Sequence, residues 1–356
     1  MPSPPFIASV VGSMPRSQFV RDLKEIGTEE EIDTKEFGKC MDAACSYIIA
    51  LQESSGVDEI TDGEWRRRSY IGVIADICDG FELTKEETPF GVQHWTTVVD
   101  KIKPRSPGLI AEEIAFIRKR TSRRVKATLP SPYLLGQRMW NEGKSAGAYP
   151  TRNAFMDDLV PVLRDELIAI RDAGADVAQI DDPHLCLFVD PNVRAGFEDP
   201  DKESDVSVEL INGVIEGIEG IQTAIHLCRR NKAREGWVGE GGYDPIIPQL
   251  QRLNVDQYVM EFTIPVAGDF SCLRALPEDR LIGLGCVDCR GEHIDTAEEI
   301  VARVEQAIEH IAPDRISLNP DCGFAPGSAA EIPIDEAYAK LCNEAEAARI
   351  LRDKYG

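Results

Sequence analysis

The sequence predicts a (β/α)8 TIM barrel of the α/β class, with a β-hairpin excursion after its second unit. Three observations predict it. Short apolar, β-rich runs recur eight times, over 7–12, 57–61, 125–129, 177–180, 224–227, 257–261, 281–287 and 316–319. Helix-length amphipathic stretches separate several of them, the alternation that builds a parallel sheet. The polar, reactive residues cluster where the runs end, which is where barrels of this kind keep their chemistry. The competing doubly wound sheet lacks its signature, since no Gly-x-Gly-x-x-Gly turn follows an early strand.

Taken in order, the first run ends in Gly12-Ser13 and the second in Asp62-Gly63-Glu64. Residues 81–107, with Trp95-Thr96-Thr97-Val98-Val99, alternate as a hairpin that interrupts the repeat. The third run leads into Leu129-Pro130-Ser131-Pro132-Tyr133. A helix over 155–173 stops at Gly174, a residue suited to a C-terminal cap. The fourth run ends in Asp181-Asp182-Pro183 and the fifth in His226-Leu227-Cys228. After it, 230–245 is rich in Gly and charge and holds Trp237 and Tyr243. That pattern suits either a mobile lid or a surface loop pinned by its aromatics. The sixth run ends at Glu261, and the seventh in Asp288-Cys289-Arg290. Asp295-Thr296-Ala297-Glu298 then opens a helix with Ile300, Val301, Val304, Ala307 and Ile308 on one side. The eighth run ends in Asp321-Cys322-Gly323, and a helix over 333–352 closes the chain. With no linker or low-complexity tract, one domain over 1–356 is expected.

The net charge of −23 excludes nucleic acid and anionic membranes as partners, because both need a basic face. It does not exclude a small anionic substrate, since a few arginines in a cleft outweigh the global field locally. No apolar run is long enough to span a bilayer, and Met1-Pro2-Ser3-Pro4-Pro5 does not read as a signal peptide. The ten cysteines have no framework spacing, so reduced thiols in a cytoplasmic protein are expected. Nothing in the pattern fixes the oligomeric state, and a homo-oligomer is compatible with it.

His226 and Cys228 are alternate residues, so one strand offers an imidazole and a thiolate to the same ion. Adding Glu261 and Cys322 gives one nitrogen, one oxygen and two sulfurs, a set suited to tetrahedral Zn2+. A zinc held this way, with room for another sulfur, is equipped to activate a substrate thiol. Cys40, Cys45, Cys78, Cys272 and Cys342 read instead as small hydrophobes, and Cys186, Cys286 and Cys289 lack a partner motif.

The motifs Val11-Gly12-Ser13-Met14-Pro15-Arg16, Thr61-Asp62-Gly63-Glu64-Trp65-Arg66-Arg67, Gln179-Ile180-Asp181-Asp182-Pro183, His226-Leu227-Cys228, Glu261 and Asn319-Pro320-Asp321-Cys322-Gly323 occur in this order. Together they resemble the catalytic barrel of the cobalamin-independent methionine synthase family, over essentially the whole chain. The chain is most similar to the short, single-barrel members. The resemblance implies zinc at His226, Cys228, Glu261 and Cys322, a homocysteine thiolate as nucleophile, and in-line displacement on an electrophilic methyl group. Glu64 and Asp181 match the acids that hold the amino-acid ammonium, and Ser13 the carboxylate contact. The structural alternative makes Glu64 and Asp181 partners of Arg66, Arg67 or Arg68.

Two departures concern the methyl donor. Where the long enzymes of the family carry a histidine proposed as proton donor, Cys286-Val287-Asp288-Cys289-Arg290 puts an arginine, which stays protonated. Arg290 is then expected to hold an anionic group of substrate or donor. For the aromatic that stacks on a pterin, Tyr133 is the one candidate substitute. The donor is therefore expected to be methyltetrahydrofolate or a methyl-corrinoid, the latter with a corrinoid protein as partner. Two other readings remain: a zinc alkyltransferase for another thiol, such as an epoxyalkane:coenzyme M transferase, with Arg290 and the Arg66-Arg67-Arg68 run facing a sulfonate; and a non-catalytic zinc-stabilised binding barrel. A barrel of the uroporphyrinogen decarboxylase type would hold no metal at these positions.

Overall fold

Seven parallel strands curl side by side, and a chain segment at residues 8–9 closes the ring between the first and the last of them. The computed structural model describes residues 4–26, 34–67, 69–88, 91–105, 108–325 and 332–356. Its strands are β1 (Glu59–Ile60), β2 (Cys78–Thr88), β3 (Gly91–Pro104), β4 (Arg124–Pro130), β5 (Val177–Asp181), β6 (Gln222–Leu227), β7 (Gln257–Glu261), β8 (Leu281–Val287) and β9 (Ile316–Pro320). The barrel order is β1-β4-β5-β6-β7-β8-β9, every neighbouring pair parallel.

The first expected strand departs from expectation. In place of a run over 7–12, Ala8 bridges Leu318 and Ser9 bridges Glu59. The backbone N–H of Ser9 donates to the Leu318 carbonyl at 2.9 Å and that of Asp58 to the Ala8 carbonyl at 2.8 Å, which is enough to join β9 to β1. The hairpin is present as β2 and β3, antiparallel, with a register shift between Asp79 and Phe81. Its turn, and Pro107 and Arg68, lie outside the described residues.

Helices Thr34–Ser55, Leu109–Arg118, Arg152–Asp172, Pro200–Ile215, Ala297–Ile308 and Ile334–Tyr355 form the outer layer. Helix Ala297–Ile308 starts on a full capping box between Thr296 and Glu299. The returns from β6 to β7 and from β7 to β8 carry only short helical turns, so the alternation is not complete.

Alternation along the staves sorts the interior into layers. On β5, Ala178 and Ile180 face the helices, while Val177, Gln179 and Asp181 face inward. The middle of the barrel is filled by Val11, Val177, Ala224 and Val259, small enough to meet across it. Below them runs a polar belt: Arg124 pairs with Glu59 at 3.1 Å and donates to Gln222 at 3.2 Å, Gln222 donates to Gln257 at 2.9 Å, and Gln257 to Ser317 at 2.7 Å. Lys126 closes this layer, 3.1 Å from Glu59 and donating to Ser9 Oγ and the Val10 carbonyl, both at 2.7 Å. Because Glu59 and Lys126 are both buried, removing one partner strands the other charge. Lys126→Met is expected to lower stability by about 3–5 kcal/mol, read by urea denaturation. A loss under 1 kcal/mol (about the worth of an exposed pair) would show that water reaches the belt.

Candidate metal centre and thiol site

Above the apolar layer, the same inward parity delivers Asp181 from β5, His226 from β6 and Glu261 from β7 to the C-terminal mouth of the barrel. Cys228 lies one residue past the end of β6, and Cys322 two past β9. One ligand atom from each of His226, Cys228 and Cys322 lies within 4.8 Å of the other two, and all three residues are buried. Among the described residues, neither ring nitrogen of His226 has a nitrogen or oxygen partner, and the Cys228 sulfur is its neighbour. A buried imidazole left so is costly unless something binds it. The adjoining Cys322 thiol holds Cys228 well below the usual thiol range against burial, helped by the His226 ring. Cys322 is pushed well above that range by Cys228 and by burial. An orphaned imidazole beside a thiolate–thiol pair fits a soft divalent cation.

Glu261 does not join that group. It is fully buried and engaged elsewhere: Oε2 accepts from the Arg229 backbone N–H at 2.6 Å, and Oε1 pairs with Arg290. Arg290 also donates to Asp321 at 3.0 Å, so both its arms serve carboxylates of the barrel rather than a ligand. Tyr243 completes the network. Its hydroxyl accepts from the Glu261 backbone N–H at 2.8 Å and from Arg229 at 3.2 Å. Burial raises Glu261 to about 7, Arg290 opposing. Gly285 makes room for the arrangement, since a Cβ there would sit 2.5 Å from Asp321 Oδ1 and from the Met260 carbonyl.

The two expected ammonium ligands also reach the mouth. Gly63 and Glu64 both take left-handed backbone conformations, φ 71° and 59°, and this turn after β1 sends Glu64 inward. Glu64 Oε1 accepts from Thr128 Oγ1 at 2.7 Å. The expected competition from arginines is present in part. Arg67 grips Glu113 at 2.8 Å and forms a second, longer buried ion pair with Glu64, at 3.7 Å, while Arg66 pairs with Asp42 at 2.5 Å. Asp181 accepts from Gln179 at 2.8 Å, and burial raises it to about 7, the His226 charge opposing and Glu64 adding. Its neighbour Asp182 is structural, capping the next turn through Leu185 and accepting from Ser131 and Ser207 at 2.8 and 2.6 Å.

Ser13 is buried in a turn locked to the one after β9: its carbonyl accepts from Phe324 N–H at 2.9 Å and its Oγ from Ala325 N–H at 3.3 Å. Tyr133 is buried with its hydroxyl donated to Glu203 at 2.9 Å, beside Phe188. The 230–245 loop is fastened at both ends. Val238 N–H reaches the Arg229 carbonyl at 2.9 Å, Glu240 N–H reaches Asp190 at 3.0 Å, and Tyr243 is core. Trp237 remains half-buried on it.

Sequence reasoning missed the Arg229–Glu261–Arg290–Asp321 network and the place of Tyr70. Tyr70 is half-buried, and its hydroxyl is pushed well above its ordinary value by burial, with Cys228 and Asp181 adding and Arg138 and Arg230 opposing. The inward parity of Asp321 with Asn319 was the one available signal for the network.

Residues 6–349 match the family model described as cobalamin-independent synthase, catalytic domain. The chain is 30% identical over 350 residues to a methionine synthase of Pyrococcus abyssi, covering 97% of this chain and 92% of that one. It is 29% identical over 348 residues to that of Pyrococcus horikoshii, with the same coverage. Among solved structures, a putative vitamin-B12-independent methionine synthase from Listeria monocytogenes superposes with TM-score 0.73 at 26% identity, over 99% of both chains. A B12-independent methionine synthase from a Shewanella species, in complex with selenomethionine, superposes with TM-score 0.81 at 20% identity, over 98% of both, a likeness of fold. With residues 6–349 matched by the family model, nearly the full length of the barrel, the chain belongs to the family of cobalamin-independent methionine synthase catalytic domains.

Proposed function

We propose that this chain is a methyltransferase that methylates the thiol of homocysteine to give methionine, with zinc as its metal and one barrel domain as its working unit. The observation that carries the reading is the convergence of His226, Cys228 and Cys322 with the acids Glu64 and Asp181 at one mouth. His226, Cys228 and Cys322 would hold the metal, with Glu261 as a further donor if it leaves its arginines. When bound, zinc supplies a positive charge that favours a thiolate at neutral pH.

The chain's own residues do the rest. Two carboxylates suit an ammonium, which a thiol without one would not require. The turn of Ser13 offers donors to the amino-acid carboxylate. The low-dielectric rim strengthens both contacts and keeps water from the nucleophile. Donors compatible with the site are methyltetrahydrofolate and a methyl-corrinoid. The coenzyme M alternative loses support, because Arg66, Arg67 and Arg290 are each paired with a protein carboxylate. No helix among the described residues is long and apolar enough to cross a membrane. The ten free cysteines suit the reducing cytoplasm where we place the enzyme.

Zinc-edge absorption spectroscopy with and without L-homocysteine tests the reading. Sulfur coordination is expected to rise by one on addition. A zinc shell that ignores homocysteine would leave a structural metal or another thiol, and protein without stoichiometric metal would remove the proposal.

A further inference from the structure

Three basic side chains stand on successive rim segments of adjacent staves. Arg138 lies on the helix Pro132–Met139 that follows β4, His184 on the turn after β5, and Arg230 two residues past Cys228 after β6. Both arginines are half-buried, and among the described residues neither has an ion pair or a hydrogen-bonded acceptor. Glu203, on this side, is taken by Arg152 and Tyr133, and Asp182 by Ser131 and Ser207. His184 Nε2 is buried with no partner. Arg230 adopts a left-handed backbone at φ 60°, a conformation unfavourable to a non-glycine residue.

The charges act on one another. Burial and then the Arg230 charge lower Arg138, and burial with both arginines pushes His184 down to about 3, so it is a neutral hydrogen-bonding group near pH 7. In a chain of net charge −23, two arginines that feel one another's charge and have no ion pair among the described residues are a local exception. Held close, they repel; an oxyanion between them would relieve that and satisfy the planar N–H forks.

We propose that Arg138, Arg230 and His184 form an oxyanion site for the methyl donor, recognising a carboxylate or phosphate group that the donor carries. The assignment to the donor follows from the ring. These groups stand on β4, β5 and β6, whereas Ser13, proposed for the amino-acid carboxylate, stands with the turn after β9. Arg230, two residues past Cys228 on the same strand end, brings the anion site to the edge of the thiol site. The donor's anionic end would thus be anchored beside the thiol while its methyl group faces it. The inference rests on the reading of this mouth as a methyl-transfer site.

The test is calorimetric titration of the zinc-loaded protein with inorganic phosphate, in the absence and presence of saturating L-homocysteine. Wild type is expected to bind phosphate in both conditions. Arg138→Gln and, independently, Arg230→Gln should weaken it about tenfold or more, while Arg349→Gln, a surface control, should not. Arg138→Gln should melt no lower than wild type, since it removes a repulsion, and should bind homocysteine as before. Equal phosphate binding in wild type and Arg138→Gln, no phosphate binding at all, or a clear loss of melting temperature in Arg138→Gln would overturn the site. Displacement of phosphate by homocysteine would overturn its assignment to the donor. If homocysteine fails to bind wild type while phosphate binding still depends on Arg138, the thiol reading falls and the anion site stands.

Discussion

Cys322→Ser and Cys228→Ser are each expected to lose metal and activity together, with methyl transfer falling about a thousandfold or more and zinc dropping well below one per chain. The two thiols meet His226 in one buried cluster, and Cys228 is held well below the usual thiol range by its neighbour Cys322. A serine hydroxyl at either place stays protonated and binds a soft cation poorly. Serine is nearly the size of the cysteine it replaces in this buried cluster, so the variants should keep wild-type far-ultraviolet circular dichroism. Cys40, exposed on the helix Thr34–Ser55, is the control. Metal analysis of Cys40→Ser should match wild type, and zinc loss there would sink the ligand assignment.

Asp181→Asn is expected to separate stability from function. Burial raises the Asp181 carboxyl from its ordinary 3.8 to about 7. The folded state therefore keeps a proton that the unfolded chain gives up. The resulting preference for the fold is full below the unfolded value and is lost as pH rises through about 7. Above it, the barrel carries a buried anion at a cost that asparagine avoids. In metal-free protein at about pH 8, Asp181→Asn should be more stable than wild type by about 1–4 kcal/mol, and the gain should vanish near pH 4. Activity should move the opposite way. Without the second acid, the KM for homocysteine should rise and kcat/KM fall by about a hundredfold or more at the same pH. The same titration predicts that wild type binds homocysteine better as pH rises through about 7. A variant that is destabilised at about pH 8 and keeps its KM would mean that Asp181 is a structural acceptor for Gln179 and nothing more.

The barrel was legible because its signals are local. Alternation places Val177, Gln179 and Asp181 on one face, and the same rule carries His226 to the mouth and, continued past the strand end, Cys228. The first expected strand is the exception: its apolar run is real, but it makes ladder bridges only at Ala8 and Ser9, with further backbone bonds to β9 at Phe6 and Ile7. Glu261 and Arg290 were recognised as reactive, yet their mutual pairing joins residues from different strand ends, and no spacing announces such a contact. Tyr133 looked available in a Pro-rich turn, whereas Glu203, seventy positions on, takes its hydroxyl. Arg138 was invisible for the opposite reason. On a helix, an unpaired arginine looks like any solvated one, and only the ring of staves puts Arg230 beside it.

The clamp on Glu261 bears on which cation the protein accepts in a cell. While Arg229 and Arg290 occupy that carboxylate, the donors facing the centre are one imidazole and two sulfurs. Magnesium and manganese, abundant and fond of oxygen, find nothing there to replace their hydration water. A thiophilic ion does. On the metal reading proposed above, the two arginines would act as a sorting device, deciding by hardness what enters without touching the metal themselves.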